Sequence, residues 1–288
     1  MSVKKKLSHY SVMVFALLVL SGCASILEKK SQHFANSFSS AVLESDDPVM
    51  IEQGIPSYLL LLDALVKNNP EQTALWSAAA NLNSAYASSF IKDAGRVKSV
   101  NNKALKYAFT ALCQKDKRLC HPQALSLDEL NGVLQQFDSS YVSTLYITGS
   151  VWAGWIQANS DDWNAIADMP RVEALMKRVV ALDERYQQGA AHLYLGVLAT
   201  VLTPALGGRP ELGKKHFEQA VNLSQGQNLM AKLYYAKNYA RGILDRELHD
   251  KLLQEIIVAD PHAPDLTLSN IMAQQQAKEL LQSADDYF

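Results

Sequence analysis

The chain has 288 residues, 48% of them hydrophobic, with 27 Lys and Arg set against 29 Asp and Glu. A formal charge of −2 leaves no basic surplus to neutralise a phosphate backbone, which argues against nucleic acid as a partner. Two cysteines, Cys113 and Cys120, lie in the body of the chain, and a third, Cys23, lies close to its start.

The start carries Lys4, Lys5 and Lys6, then an apolar run from Tyr10 to Leu20, then Leu20-Ser21-Gly22-Cys23. A basic lead, a short apolar core and small residues before a cut site make a secretory signal, and the run is only about half a bilayer-spanning helix. Cysteine directly after Leu-Ser-Gly makes it a bacterial lipoprotein signal. Residues 1–22 are thus expected to be removed and Cys23 to be lipidated, which takes three lysines away and leaves a more acidic body. Acyl chains then hold the protein to the membrane at about 0.8 kcal/mol per buried CH₂. Ala24 follows the cysteine where an inner-membrane retention signal would place Asp. The expected site is therefore the periplasm-facing side of the envelope, at the outer membrane.

Residues 23–45 read as a lipidated N-terminus and tether, and 46–288 as one helical domain. Asp46-Asp47-Pro48 is a helix-start signal. Helices are then predicted over Pro56–Lys67, Thr73–Phe90 and Asn102–Cys113, with polar Lys92–Ser99, containing Gly95, as a loop between the last two. In an oxidising compartment Cys113 and Cys120 are a candidate disulfide over the loop Gln114–Leu119, two free thiols being the alternative. Ser126-Leu127-Asp128-Glu129 is a capping-box start. Further helices are predicted over Tyr141–Asn159, Pro170–Leu182, Gly189–Leu202, Pro210–Leu223, Leu229–Leu244, Glu247–Ala259 and Leu266–Tyr287. No stretch alternates as a strand does, so the fold class is all-α.

Three helix ends are alike: Val66-Lys67-Asn68-Asn69-Pro70, Val180-Ala181-Leu182-Asp183 and Val258-Ala259-Asp260-Pro261. This is how a tetratricopeptide repeat, a 34-residue helix-turn-helix, finishes. Laid back from those ends, the register places Ala79 and Ala80, His192, Leu195 and Gly196, and Leu233, Ala236 and Ala240 in first helices. Gly213, Phe217 and Ala220, with Leu253 and Ile256, fall in second helices. The expected architecture is a compact α-solenoid of stacked helical hairpins. Its register requires insertions between paired helices near Ile91–Asn102, Ser160–Pro170 and Thr203–Gly208, and such insertions gather on one face, often the binding face.

Candidate chemistry is sparse. Asp161 and Asp162 are adjacent, and adjacent side chains do not converge on one proton; with Asp168 they read as helix-capping residues. Tyr146, Trp152, Trp155 and Trp163 form the densest aromatic group, for which core packing is the plain account and the wall of a cavity the sharper one. With Asn164 and His192 they are the candidate ligand-pocket or partner-face residues. No His-Glu-x-x-His, Gly-x-Ser-x-Gly, Walker-type or dinucleotide fingerprint occurs, so no catalytic residue, metal or cofactor is assigned.

Several stretches carry a family resemblance: Leu-Ser-Gly-Cys at the start, Pro56-Ser57-Tyr58-Leu59-Leu60-Leu61-Leu62-Asp63, Trp152-Ala153-Gly154-Trp155-Ile156-Gln157, Ser160-Asp161-Asp162-Trp163-Asn164-Ala165-Ile166-Ala167-Asp168, Leu193-Tyr194-Leu195-Gly196-Val197-Leu198 and Ala284-Asp285-Asp286-Tyr287-Phe288. Together they resemble the T component (TatT) of tripartite ATP-independent periplasmic (TRAP) transporter systems over nearly the whole chain. The resemblance implies a periplasm-facing lipoprotein of tetratricopeptide-like helices that associates with the transporter's periplasmic solute-binding (P) subunit. It also implies a largely apolar internal channel or pocket for a small hydrophobic ligand, and it supplies no ligand-contacting residues. A second copy of the chain is a further partner this reading admits. The alternative function is a general envelope scaffold without a ligand.

Overall fold

The computed structural model describes residues 40–288, so the signal peptide, Cys23 and most of the tether lie outside the described residues. Among those residues every regular element is helical, as the periodicity requires.

Helix α1 (Pro48–Asn68) opens where Asp47 accepts a hydrogen bond from the Met50 N–H and Pro48 occupies the first turn. This is the start that Asp46-Asp47-Pro48 signals, eight residues upstream of the apolar stretch predicted over Pro56–Lys67, and from it the helix runs through Pro56. An internal proline costs about 3 kcal/mol, but Ile51, Ile55, Leu59 and Val66 form one buried stripe that spans it. The outer side is apolar as well: Val49, Met50, Leu60 and Leu61 are exposed, Leu60 at 72%.

A correction falls at Lys92–Ser99, which is not a loop. Helix α2 (Thr73–Phe90) has its predicted bounds, but α3 starts at Ala94 and continues to Lys115. The Asp93 side chain accepts from the Arg96 N–H at 2.8 Å, and a cap of this kind is worth about 1 kcal/mol, enough to offset Gly95. Polar composition here marks a solvated helix face rather than a break. The insertion predicted near Ile91–Asn102 accordingly shrinks to a three-residue connection, Ile91–Asp93.

A 3-10 turn at Lys117–Leu119 and another at Pro122–Ala124 lead to the short helix α4 (Leu127–Leu134). Ser126 and Glu129 form the expected reciprocal capping box there. Helix α5 (Val142–Ala158) is the central element, packing against α2, α3 and α7 (Met169–Leu182). Then come α8 (Ala190–Thr200), α9 (Pro210–Leu223), α10 (Leu229–Tyr234), α11 (Arg246–Val258), α12 (Thr267–Gln282) and the terminal turn α13 (Ala284–Tyr287). The predicted helix Leu229–Leu244 is real but irregular: α10 passes directly into a π-helical stretch, Tyr235–Ala240.

The core lies in three parts. The largest joins α2 to α8 around Leu112, Leu145, Trp152, Leu175 and Met176. A second holds α9 to α12 together around Phe217, Leu233, Leu253 and Ile256. In a third, Ile51, Ile55 and Leu59 of α1 meet Tyr86 of α2 and Leu268 of α12. The chain therefore curls until its first and last long helices touch, leaving a cleft between its two halves.

Candidate ligand cleft

The cleft has a volume of about 510 Å³, within the range of small-molecule sites. Its walls differ in chemistry. Helices α2 and α5 supply small and polar groups: Ser84, Ala85, Ser88 and Ser89 from the first, and Ser150, Ala153, Gly154 and Gln157 from the second. Helix α8 supplies the opposite, apolar wall of Leu193, Val197 and Leu198, which Val201 extends just past its end. Tyr194 and Tyr234 line the cleft between them, and Lys237 and Asn238 of the π stretch close one side. Gly154 keeps the polar wall low, since a Cβ there would stand 2.9 Å from Ser84 Oγ.

Behind this surface lies a tyrosine layer. Tyr146 is buried, packs edge-on against Tyr186 and Tyr194, and hydrogen-bonds to Tyr194, which also bonds Ser150. Loss of water around these hydroxyls pushes the Tyr146 phenol well up and Tyr194 to about 12. Both are neutral donors or acceptors under any ordinary condition.

Tyr146 is thus one layer behind the cleft, and the other residues named from sequence are not on its surface. Trp152 is fully buried (0% exposed): its ring packs edge-on against Phe109, and its indole N–H donates to Asp168 Oδ2 at 3.1 Å. Trp155, three residues on, donates instead to Asn102 Oδ1 at 2.6 Å. Trp163 is 76% exposed and does not return to the other two. It opens α6 (Trp163–Ile166), a single helical turn within the predicted insertion, and its side chain points to solvent because Ala165 takes the inward position. Asn164 is exposed beside it and bonds Asp162.

The three aspartates separate into three roles. Asp162 caps α6, accepting from the Asn164 N–H at 2.9 Å. Asp161 caps nothing; its carboxylate pairs with Lys98 of α3 at 2.7 Å, and that hydrogen bond holds its pKa below the usual range. Asp168 stands at the N-cap position of α7, but its carboxylate makes no cap bond. It turns inward to Trp152, Arg171 and Gln123, and burial raises its pKa despite those partners. Capping was the wrong role for two of the three because each found a stronger donor than a backbone amide.

His192 faces α9, away from the cleft. Its Nδ1 is 2.9 Å from Nδ1 of His216, and its Nε2 is 3.2 Å from Glu184. A carboxylate can only accept from a neutral histidine, so Nε2–H of His192 donates to Glu184 and bare Nδ1 accepts from His216 Nδ1–H. Gln219 completes the chain by donating to Glu184 at 3.0 Å. Burial, then the neighbouring His192, pushes His216 down to about 4, and burial lowers His192 too. The fold therefore favours the neutral pair. An unfolded histidine takes its proton near pH 6.5, so this stabilisation is complete above that pH and is lost as pH falls towards 4. The expected loss is about 1–2 kcal/mol, because partial exposure of His216 screens the effect. Unfolding midpoints measured from pH 4.5 to 7.5 should show a shallower slope in His216→Asn than in the wild type; equal slopes would exclude the pair as the cause.

Cys113 and Cys120 are brought together at the end of α3, with Cα atoms 4.1 Å apart. Among the described residues no group of three His, Cys, Asp or Glu side chains could hold a metal ion. What the sequence left unread is the cleft surface itself. Ala79 and Ala80 of α2 are fully buried, whereas Ser84, Ala85, Ser88 and Ser89, to which the sequence alone assigned no part, line the cleft. The signal lay in the hydroxyls: Ser84 and Ser88 are one turn apart on the α2 stripe, and a pure packing stripe has no use for both.

Fold and cleft define a class of protein, an all-α assembly of packed helices with a groove of amphipathic lining. The family profile TAtT, described as TRAP transporter T-component, matches residues 44–288, and the chain belongs to that family. It is thereby a component of a TRAP transporter system of the cell envelope, in a family of transporter accessory components rather than enzymes. The chain is also similar to an uncharacterized protein of Treponema pallidum (strain Nichols), 23% identical over 275 residues, which cover 87% of this chain and 83% of that one.

Proposed function

We propose that the protein is a lipid-anchored T component that docks the P subunit of its transporter and receives, or passes on, a small hydrophobic ligand through the cleft. The observation that carries this reading is the cleft, whose aliphatic wall on α8 faces a hydroxyl-lined wall on α2 and α5. An envelope scaffold without a ligand has no need of such a cavity. In this reading residues 1–22 are the signal, Cys23 carries the lipid at the outer membrane, 23–45 form the tether and 46–288 the working domain. The helical hairpins stack in tetratricopeptide fashion, and Cys113–Cys120 is an oxidised bridge of the periplasm. The exposed apolar side of α1 is the surface on which a second copy would pack.

Trp163 is the proposed anchor for the P subunit. It is the most exposed aromatic side chain among the described residues, on the segment whose Ser160 and Ile166 line the cleft. Exposed tryptophans are frequent hot spots once a partner covers them. Affinity capture from solubilised envelopes in mild salt should recover the P subunit with the wild-type chain and at least tenfold less of it with Trp163→Ala. Equal recovery would remove Trp163 from the interface, and no recovery with either chain would remove the docking reading.

A further inference from the structure

The cleft carries a single formally charged side chain, and that charge is positive. Among the residues lining it are serines, asparagines, a glutamine, tyrosines and aliphatic groups, no carboxylate, and one cation, Lys237. On a chain with more acidic than basic residues, that is an uneven distribution. The described ion pairs account for Lys98, Lys103, Lys177, Lys232 and Arg209 through named carboxylates. Lys237 has no such partner among the described residues; its ammonium lies 5.9 Å from the centroid of the Tyr234 ring. The smaller hollow of about 210 Å³ on the far side of α6 offers a contrast. Its own cation, Arg209, is neutralised by Glu173 at 2.8 Å.

The backbone that presents Lys237 is also unusual. It lies in the π stretch Tyr235–Ala240, and π segments are frequent at functional sites because they re-aim side chains relative to the helix around them. Tyr235 and Tyr239 are buried and hydrogen-bond to Glu218 and Glu211 of α9. Lys237 is two residues from each and emerges on the opposite side, at the cleft, with Asn238 next to it. The stretch thus fixes two tyrosines on one side and aims one ammonium and one amide towards the cavity.

We propose that the cleft's ligand is an amphipathic monoanion with one apolar chain. Its anionic head would be held by the Lys237 ammonium and the Asn238 amide, and its body would lie along Leu193, Val197 and Leu198. A cleft of about 510 Å³ has room for one short chain and not for a two-chain lipid. Of the serines opposite, Ser84, Ser88 and Ser150 donate their hydroxyl hydrogens to Asn101, Ala85 and Ile147, so Ser89 and Ser160 are the hydroxyls left for the head. They are neutral donors rather than a second charge, which is why a monoanion fits better than a dianion. This inference rests on the cleft being the ligand site, as proposed above.

The test is calorimetric titration of the mature chain, stripped of bound lipid, with the monoanions decanoate and decyl sulfate and with 1-decanol, below their micellar concentrations. Decanoate or decyl sulfate should bind at least tenfold more tightly than decanol, and the tighter of the two identifies the head group as planar carboxylate or tetrahedral oxyanion. Lys237→Gln should bring the anions down to the level of decanol and leave decanol unchanged, while Lys237→Arg should retain most of the preference. Lys237 is exposed, so neither change should move the unfolding midpoint. Val197→Trp, which fills the aliphatic wall, should abolish all binding. Equal affinities for anion and alcohol, or no effect of Lys237→Gln, would overturn the anion proposal and leave the ligand cleft standing. Anion binding that survived Val197→Trp would place the anion elsewhere and overturn it as well. No binding by any of the three probes would overturn this proposal and the ligand reading together.

Discussion

Trp152→Ala is expected to lower the free energy of unfolding by about 3–5 kcal/mol, the range for removing a large aromatic from a packed core. The side chain is wholly buried at the centre of the main core, edge-on to Phe109. Its indole N–H is also a donor to Asp168, a carboxylate that burial already makes hard to keep charged. Truncation therefore opens a cavity and removes one of Asp168's three side-chain donors. Trp152→Phe separates the two effects: it keeps most of the ring contact, loses the donor, and should cost about 1–2 kcal/mol. Urea titrations should show the midpoint falling in that order with an unchanged slope. Trp163→Ala is the internal control and should stay within about 0.5 kcal/mol of wild type.

Gly196→Ala is the second large effect. Its Cβ would come within 2.7 Å of the Phe217 ring, which is itself fully buried where α8 crosses α9. Neither helix can retreat easily, because Gly213, one turn from Phe217, repeats the close approach: a Cβ there would come within 2.3 Å of Thr200. Overpacking of this kind costs about 1–3 kcal/mol. Phe217→Leu alone should destabilise by leaving a gap, yet combined with Gly196→Ala it should cost less than the sum of the two. A coupling of about 1 kcal/mol or more in thermal unfolding is expected; simple additivity would mean that the two residues do not share the contact.

The Gly196–Phe217 contact shows what a single chain makes legible. Helical spacing put a small residue on one helix and a large one on the next, and the two meet. Helix bounds at Thr73–Phe90 and Pro210–Leu223 were also readable, since an apolar stripe and a proline start mark them. Lys92–Ser99 was not, because a solvated first turn and a loop share the same polar composition, and only the Asp93 cap distinguishes them. The aromatic cluster misled for a related reason. Spacing places Trp152 and Trp155 near one another but cannot say that one would find Asp168, the other Asn102, while Trp163 finds neither. The cleft was the least legible feature, since it joins α2 and α5 to α8 and α10 across more than a hundred residues. Its one cation is set by a π stretch that no periodicity announces.

The proposed docking of this T component on the P subunit of its own transporter is tested most directly by sedimentation velocity of the mature chain mixed with that purified P subunit at micromolar concentration. A boundary moving faster than either protein alone, and lost with Trp163→Ala, is the predicted result; two boundaries that sediment independently at every mixing ratio would contradict the claim.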